Sequence, residues 1–150
     1  MTLSIKANKK SQLPYISIWL MPSGEQMTIL QKKVELLSRK YDACSFYPHI
    51  TVISGFHADP NEIVTVIDEF VGNTGPIKLN IGEVESGNKI TKTLFLCLNS
   101  TRELDVYREL FNRGLSAYKG VVPNIHLSLL YICERWKKRI KYRSAKGTRT

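Results

Sequence analysis

Two short passages of the chain set a histidine and a hydroxyl side chain at the same spacing. Tyr47-Pro48-His49-Ile50-Thr51-Val52-Ile53 and Pro123-Asn124-Ile125-His126-Leu127-Ser128-Leu129-Leu130 each carry His-x-Thr/Ser on an apolar run shortly after a proline. Side chains two apart on a strand share a face. His49 and Thr51 should therefore project together, as should His126 and Ser128, while Ile50, Val52, Leu127 and Leu129 turn into the core. A lone histidine on such a strand is more often a core imidazole held by a backbone carbonyl. Two copies in matching context reverse that preference, whereas His57, followed by Ala58 and Asp59 in loop-like sequence, is assigned no role.

The chemistry that suits two such pairs is hydrolysis of a cyclic phosphodiester. Water must lose a proton on one side of phosphorus, and the leaving alkoxide must gain one on the other. Histidine performs either task near neutral pH, but one imidazole cannot hold both protonation states, so two are needed. Hydroxyl donors beside them can stabilise charge gathering on the phosphoryl oxygens. No metal-ligand spacing accompanies the histidines, so neither a metal nor another cofactor is expected.

The elements that must position these residues follow from periodicity. Tyr15 to Met21 alternates Ile16, Ile18 and Leu20 against Tyr15, Ser17 and Trp19, as a strand does. Ser23 with Gln26 forms a capping box before Met27, Leu30, Val34, Leu37 and Tyr41, an amphipathic helical stripe. A strand is expected from Phe46 to Ser54. Asp59-Pro60-Asn61-Glu62 starts a second helix, with Ile63, Ile67 and Phe70 inward and Gly72 at its end. Pro76 to Val84 and Ile90 to Leu98 read as a hairpin turning at Ser86-Gly87-Asn88. Ser100 and Glu103 cap a third helix whose inward face is Leu104, Tyr107, Leu110 and Phe111. Val121 to Tyr131 is a last strand, and Glu134 to Tyr142 a short basic helix. The order β-α-β-α-β-β-α-β-(α) argues a single α+β domain spanning all 150 residues.

Composition narrows the class. The chain is 43% hydrophobic and 23% charged, which suits a folded protein, and no apolar run has the length of a membrane span. Pro14 and Met21-Pro22-Ser23 fit a secretory signal poorly. Cys44, Cys97 and Cys133 form no Cys-x-x-Cys pair, which suggests reduced thiols in a cytoplasmic protein. The net charge of +9 sits at the ends: residues 134–150 hold eight Lys/Arg against one Glu, and residues 1–10 hold three lysines. Between them the balance is −1. Such ends, expected to be flexible over 1–10 and 143–150, read either as solvated termini or as sequence-independent attraction to phosphate.

His49-Ile50-Thr51 and His126-Leu127-Ser128 resemble the paired motifs of the two-histidine phosphoesterase superfamily. Trp19-Leu20-Met21-Pro22 and His126-Leu127-Ser128-Leu129-Leu130-Tyr131 are most similar to its cyclic phosphodiesterase branch. The likeness covers about Tyr15 to Tyr131. It implies two pseudo-symmetric lobes, each a small antiparallel sheet flanked by helices, with both motifs in a central cleft. It also implies metal-independent cleavage of 2′,3′-cyclic nucleotides or of ADP-ribose 1″,2″-cyclic phosphate; separately, the chain is expected to be a monomer. His49 and His126 would be general acid and base, with His126 preferred for activating water, and Thr51 and Ser128 would be phosphate ligands. Trp19 is a candidate for stacking a base, and Tyr131 is read as core.

The sequence departs from the family pattern in two places. Asn124-Ile125 separate Pro123 from His126, an insertion of two that keeps strand parity. Family members continue past the second motif through a helix and a strand, so here the first lobe is expected to be incomplete. Two alternatives share the motifs: a 2′-5′ RNA ligase-like enzyme acting on RNA ends, and an idle RNA-binding module that uses the basic ends.

Overall fold

The computed structural model describes residues 13–72, 75–118, 120 and 124–132. Five strands and three α-helices follow the expected order: β1 (Tyr15–Leu20), α1 (Gly24–Lys40), β2 (Ile50–His57), α2 (Pro60–Val71), β3 (Asn80–Lys89), β4 (Lys92–Asn99), α3 (Arg102–Gly114) and β5 (His126–Leu130). The fold is α+β, with one antiparallel sheet in the order β1-β2-β5-β4-β3. No helix among the described residues is long and apolar enough to cross a membrane. The termini, the basic segment 134–142, Cys133, Val121 to Pro123 and the side chain of Phe70 lie outside the described residues.

The sheet is two pieces joined narrowly. β1 pairs with β2 and β3 with β4 along most of their lengths, and β5 pairs with β4 from His126 to Leu130. Between β2 and β5 there is one bridge, Ile50 opposite Leu127. Both residues are buried and form a cluster with Leu129, against which Leu30 and Leu37 of α1 pack. Removing such a side chain from water contributes about 1.5–3 kcal/mol, so α1 holds this seam more firmly than a single bridge could. A second cluster joins Ile18, Val52, Ile53 and Phe56 to Ile63 of α2 and to Tyr107 and Phe111 of α3. The stripes expected on α1 and α3 are thus those that pack.

Several local expectations need correction. Ser23 stands at the N-cap of α1, but its hydroxyl makes no capping bond. Gly24 adopts φ +52°, and the Gln26 N–H is satisfied by the Ser23 carbonyl instead. On α3 the cap is Thr101, whose hydroxyl accepts from Leu104 N–H, while Ser100 donates to Asp105. The α2 start is as expected: Asp59 accepts from Asn61 N–H, with Pro60 opening the helix.

The hairpin turns at Ile90-Thr91, and Ser86-Gly87-Asn88 lies within β3. Gly87 serves a close approach: a Cβ there would stand 2.6 Å from the Lys92 carbonyl. The second strand runs from Ile50 to His57, later than its apolar run predicts, and two of its residues are skipped in its pairing with β1. Ile16 and Ser17 oppose Phe56 and Ser54, and Ile18 and Trp19 oppose Ile53 and Thr51. Gly55 and Val52 are therefore the extra residues of two bulges, which bend a strand and raise its twist. The bulge at Val52 allows both Val52 and Ile53 to be buried while Thr51 stays beside Trp19.

Gly55 takes φ +86°, the left-handed region that a Cβ disfavours by about 1–2 kcal/mol. Gly55→Ala should therefore lower the thermal midpoint by about 2–8 °C, read by calorimetry. An unchanged midpoint would show that the bulge tolerates a side chain.

Candidate active site

His49 is delivered by the end of α1. The helix stops at Tyr41, Asp42 turns left-handed with φ 51°, and Ala43 N–H returns to the Ser38 carbonyl at 2.8 Å. The buried Ser38 hydroxyl then donates to the Cys44 carbonyl at 3.1 Å. These bonds lead residues 43–49 across the helix end, with Pro48 buried, into the start of β2. His126 opens β5 directly after Asn124-Ile125, so the insertion does keep its parity.

Both imidazoles are held in the same way. His49 Nδ1 lies 2.7 Å from the Tyr47 carbonyl oxygen, and His126 Nδ1 lies 2.8 Å from that of Asn124. Each partner is two residues upstream. A carbonyl only accepts, so Nδ1–H is the donor in both, and Nε2 is left as the working nitrogen of each ring. A carbonyl partner is also what a core histidine would have. His57 has one, Leu13 at 2.8 Å, but across 44 residues and outside this group. What separates His49 and His126 is the shared local geometry and their half-exposed setting.

The bridge at Ile50 and Leu127 relates the two copies. In an antiparallel pair, the residue before one partner stands beside the residue after the other. His49 is thus placed on the side of Ser128, and Thr51 on the side of His126. All four lie on the face opposite Ile50 and Leu127, turned away from α1.

Aromatic rings frame both histidines. Trp19 stacks on His49 with centroids 3.9 Å apart and planes 18° from parallel. Trp19 itself remains 48% exposed. Phe95, opposite Ser128 in the ladder, meets His126 edge-on at 5.4 Å. Phe46 stacks on Tyr131 at 3.8 Å and stands edge-on to His49 at 6.4 Å. Tyr131 was expected in the core. Instead it is half-buried beside the site, because β5 ends at Leu130 and strand parity no longer governs it. Burial pushes its phenol above the ordinary tyrosine value, and the neighbouring Ser128 hydroxyl offsets part of that rise. The phenol is therefore a neutral donor at physiological pH.

The two hydroxyls differ. Thr51 is half-exposed beside Trp19. Ser128 is 4% exposed and donates to the Thr91 carbonyl at 2.8 Å. Cys97 opposes His126 in the ladder, and its thiol is held above the usual value, first by Glu85, which accepts its hydrogen, and then by burial. It therefore remains a thiol. Among the described residues no three His, Cys, Asp or Glu side chains form a group that could hold a metal ion.

Phe46, Phe95 and Lys92, whose ammonium lies over the Phe95 ring, had no motif to single them out. The alternation of Phe95 with Leu94 and Leu96 could have placed it on the polar face, but only once the hairpin register was known. No protein-family model matches this sequence, and no curated protein is similar to it.

Proposed function

We propose that the protein hydrolyses cyclic phosphodiesters, with 2′,3′-cyclic nucleotides and ADP-ribose 1″,2″-cyclic phosphate as the substrate types and His49 and His126 as the acid–base pair. The observation that carries this reading is the matched Nδ1–H bond to the carbonyl two residues upstream, which leaves Nε2 as the working nitrogen of both rings beside one seam. The single bridge between β2 and β5 supports a division into two lobes, each a small antiparallel sheet, with the cleft along that seam.

In the reaction, one neutral Nε2 takes a proton from water as its oxygen bonds to phosphorus. The opposite P–O ester bond breaks, and the second ring, protonated at Nε2, gives its proton to the leaving ribose oxygen. Water thus supplies the new P–OH, and the two histidines end with their protonation states exchanged. Thr51 can donate to a phosphoryl oxygen from the His126 side of the seam. Trp19 fixes the plane of His49 and offers its outer face to a base, an interaction worth about 1–3 kcal/mol. Nothing in this scheme requires a metal.

His49→Ala and His126→Ala should each slow hydrolysis of 2′,3′-cyclic AMP by about 10²–10⁴, with EDTA leaving the wild-type rate unchanged. Thr51→Ala should cost less than either. Loss of activity on chelation, or full activity in both histidine variants, would remove the assignment.

The rate should also show a bell-shaped pH profile, since one imidazole must be neutral and the other charged. Each histidine substitution should erase one limb. A flat profile between about pH 5 and 8 under single-turnover conditions would contradict paired histidine catalysis.

A further inference from the structure

The two copies of the motif agree in their histidines and disagree in their hydroxyls. A hydroxyl has one proton to donate. That of Ser128 goes to the Thr91 carbonyl, and the side chain is almost wholly buried. A phosphoryl oxygen approaching His126 therefore meets no donor from Ser128 unless this bond is broken. Breaking it would cost one hydrogen bond, about 0.5–1.5 kcal/mol.

The residue following Thr91 is a lysine. The Lys92 ammonium lies 4.3 Å from the centroid of the Phe95 ring. That ring meets His126 edge-on, and Phe95 opposes Ser128 in the ladder. Lys92 is half-buried at the first position of β4. Its charge reaches Cys97, which opposes His126, and there it counters Glu85 and Glu83. Lys92 opens β4 beyond the Leu94–Leu130 pair, at the other end of β5 from His126, and it is the ammonium over the Phe95 ring that carries positive charge back toward the site. The aromatic ring holds the ammonium without neutralising it. The two glutamates would repel an anion, so phosphate binding in this corner requires a cation that outweighs them.

We propose that Lys92 is the phosphate-binding cation of the His126 half of the site, contacting a non-bridging phosphoryl oxygen where Ser128 cannot. Ser128 is then a positioning residue. Its bond to Thr91, together with that from Ile132 N–H to the Thr93 hydroxyl at 3.2 Å, ties the end of β5 to the β3–β4 turn and so sets where Lys92 stands. This assignment rests on the phosphodiesterase reading for its substrate, but anion binding can be measured without turnover.

The test is calorimetric titration of the full chain with adenosine 2′-monophosphate, in the wild type and in Lys92→Gln and Lys92→Arg, alongside turnover of 2′,3′-cyclic AMP. Lys92→Gln should weaken nucleotide binding about tenfold or more, the loss of one charged hydrogen bond. It should also flatten the salt dependence of binding, with thermal stability retained. Lys92→Arg should restore most of the affinity, and Ser128→Ala should weaken binding less than Lys92→Gln does. Equal affinity in Lys92→Gln and wild type would overturn the proposal, as would a wild type that binds no nucleotide, or a loss that arginine fails to rescue. Lysine-dependent binding with no turnover in the wild type would uphold it and reject the hydrolase reading instead.

Discussion

The contact of Ile50 with Leu127 is the constraint on which the rest of the structure depends. It is the only pairing between the halves of the sheet among the described residues, and both partners are buried under α1. Because the pairing is antiparallel, it sets each histidine beside the hydroxyl residue of the other copy. Sequence neighbours thus form the pairs, and the seam interleaves them. A one-residue slip here would exchange polar and apolar faces on both strands. The cost of exposing Ile50, Leu127 and Leu129 together protects the register, so the packing that stabilises the fold also aligns the site.

The histidine tautomers are set by equally local means. Each Nδ1–H bond closes within three residues, so it depends on backbone shape more than on distant partners. Pro48 helps to fix that shape in the first copy, where it is buried directly before His49. Asn124-Ile125 reach the same geometry in the second without an adjacent proline. Ring contacts then restrict rotation: Trp19 lies flat against His49, and Phe95 meets the edge of His126. Both rings are thus oriented by contacts within the protein, as the proposed proton transfer would require.

Features governed by local chemistry were legible in the sequence. The α1 and α3 stripes, the Asp59-Pro60 helix start and the shared face of His49 and Thr51 need only periodicity or a short motif. Features governed by partners far along the chain were not. Gly87 reads as a turn residue, but it is required because the Lys92 carbonyl approaches from the next strand. The bulges of β2 arise from its pairing with β1, and no residue type in the Phe46 to Ser54 run announces them. Tyr131 leaves the alternation because β5 ends one residue earlier. Ser128 matches Thr51 in the motif and differs from it in burial, since Thr91 arrives from 37 residues away. The motif therefore marked the candidate residues, while tertiary contacts decided which of their groups are available.

For the proposed hydrolysis, the unequal hydroxyls have a consequence for the bond that would be broken. A five-membered cyclic phosphate has two ester oxygens of nearly equal leaving ability, and a site with true twofold symmetry would accept it in either orientation and open it both ways. Here one wall offers an accessible threonine and an exposed indole, and the other a buried serine and an ammonium over a benzyl ring. In the proposed cleft, a sugar bearing a bulky base on one side would fit one way round. In the proposed reaction, duplicated motifs on unlike walls would supply the two proton-transfer groups in common and leave regiochemistry to the walls.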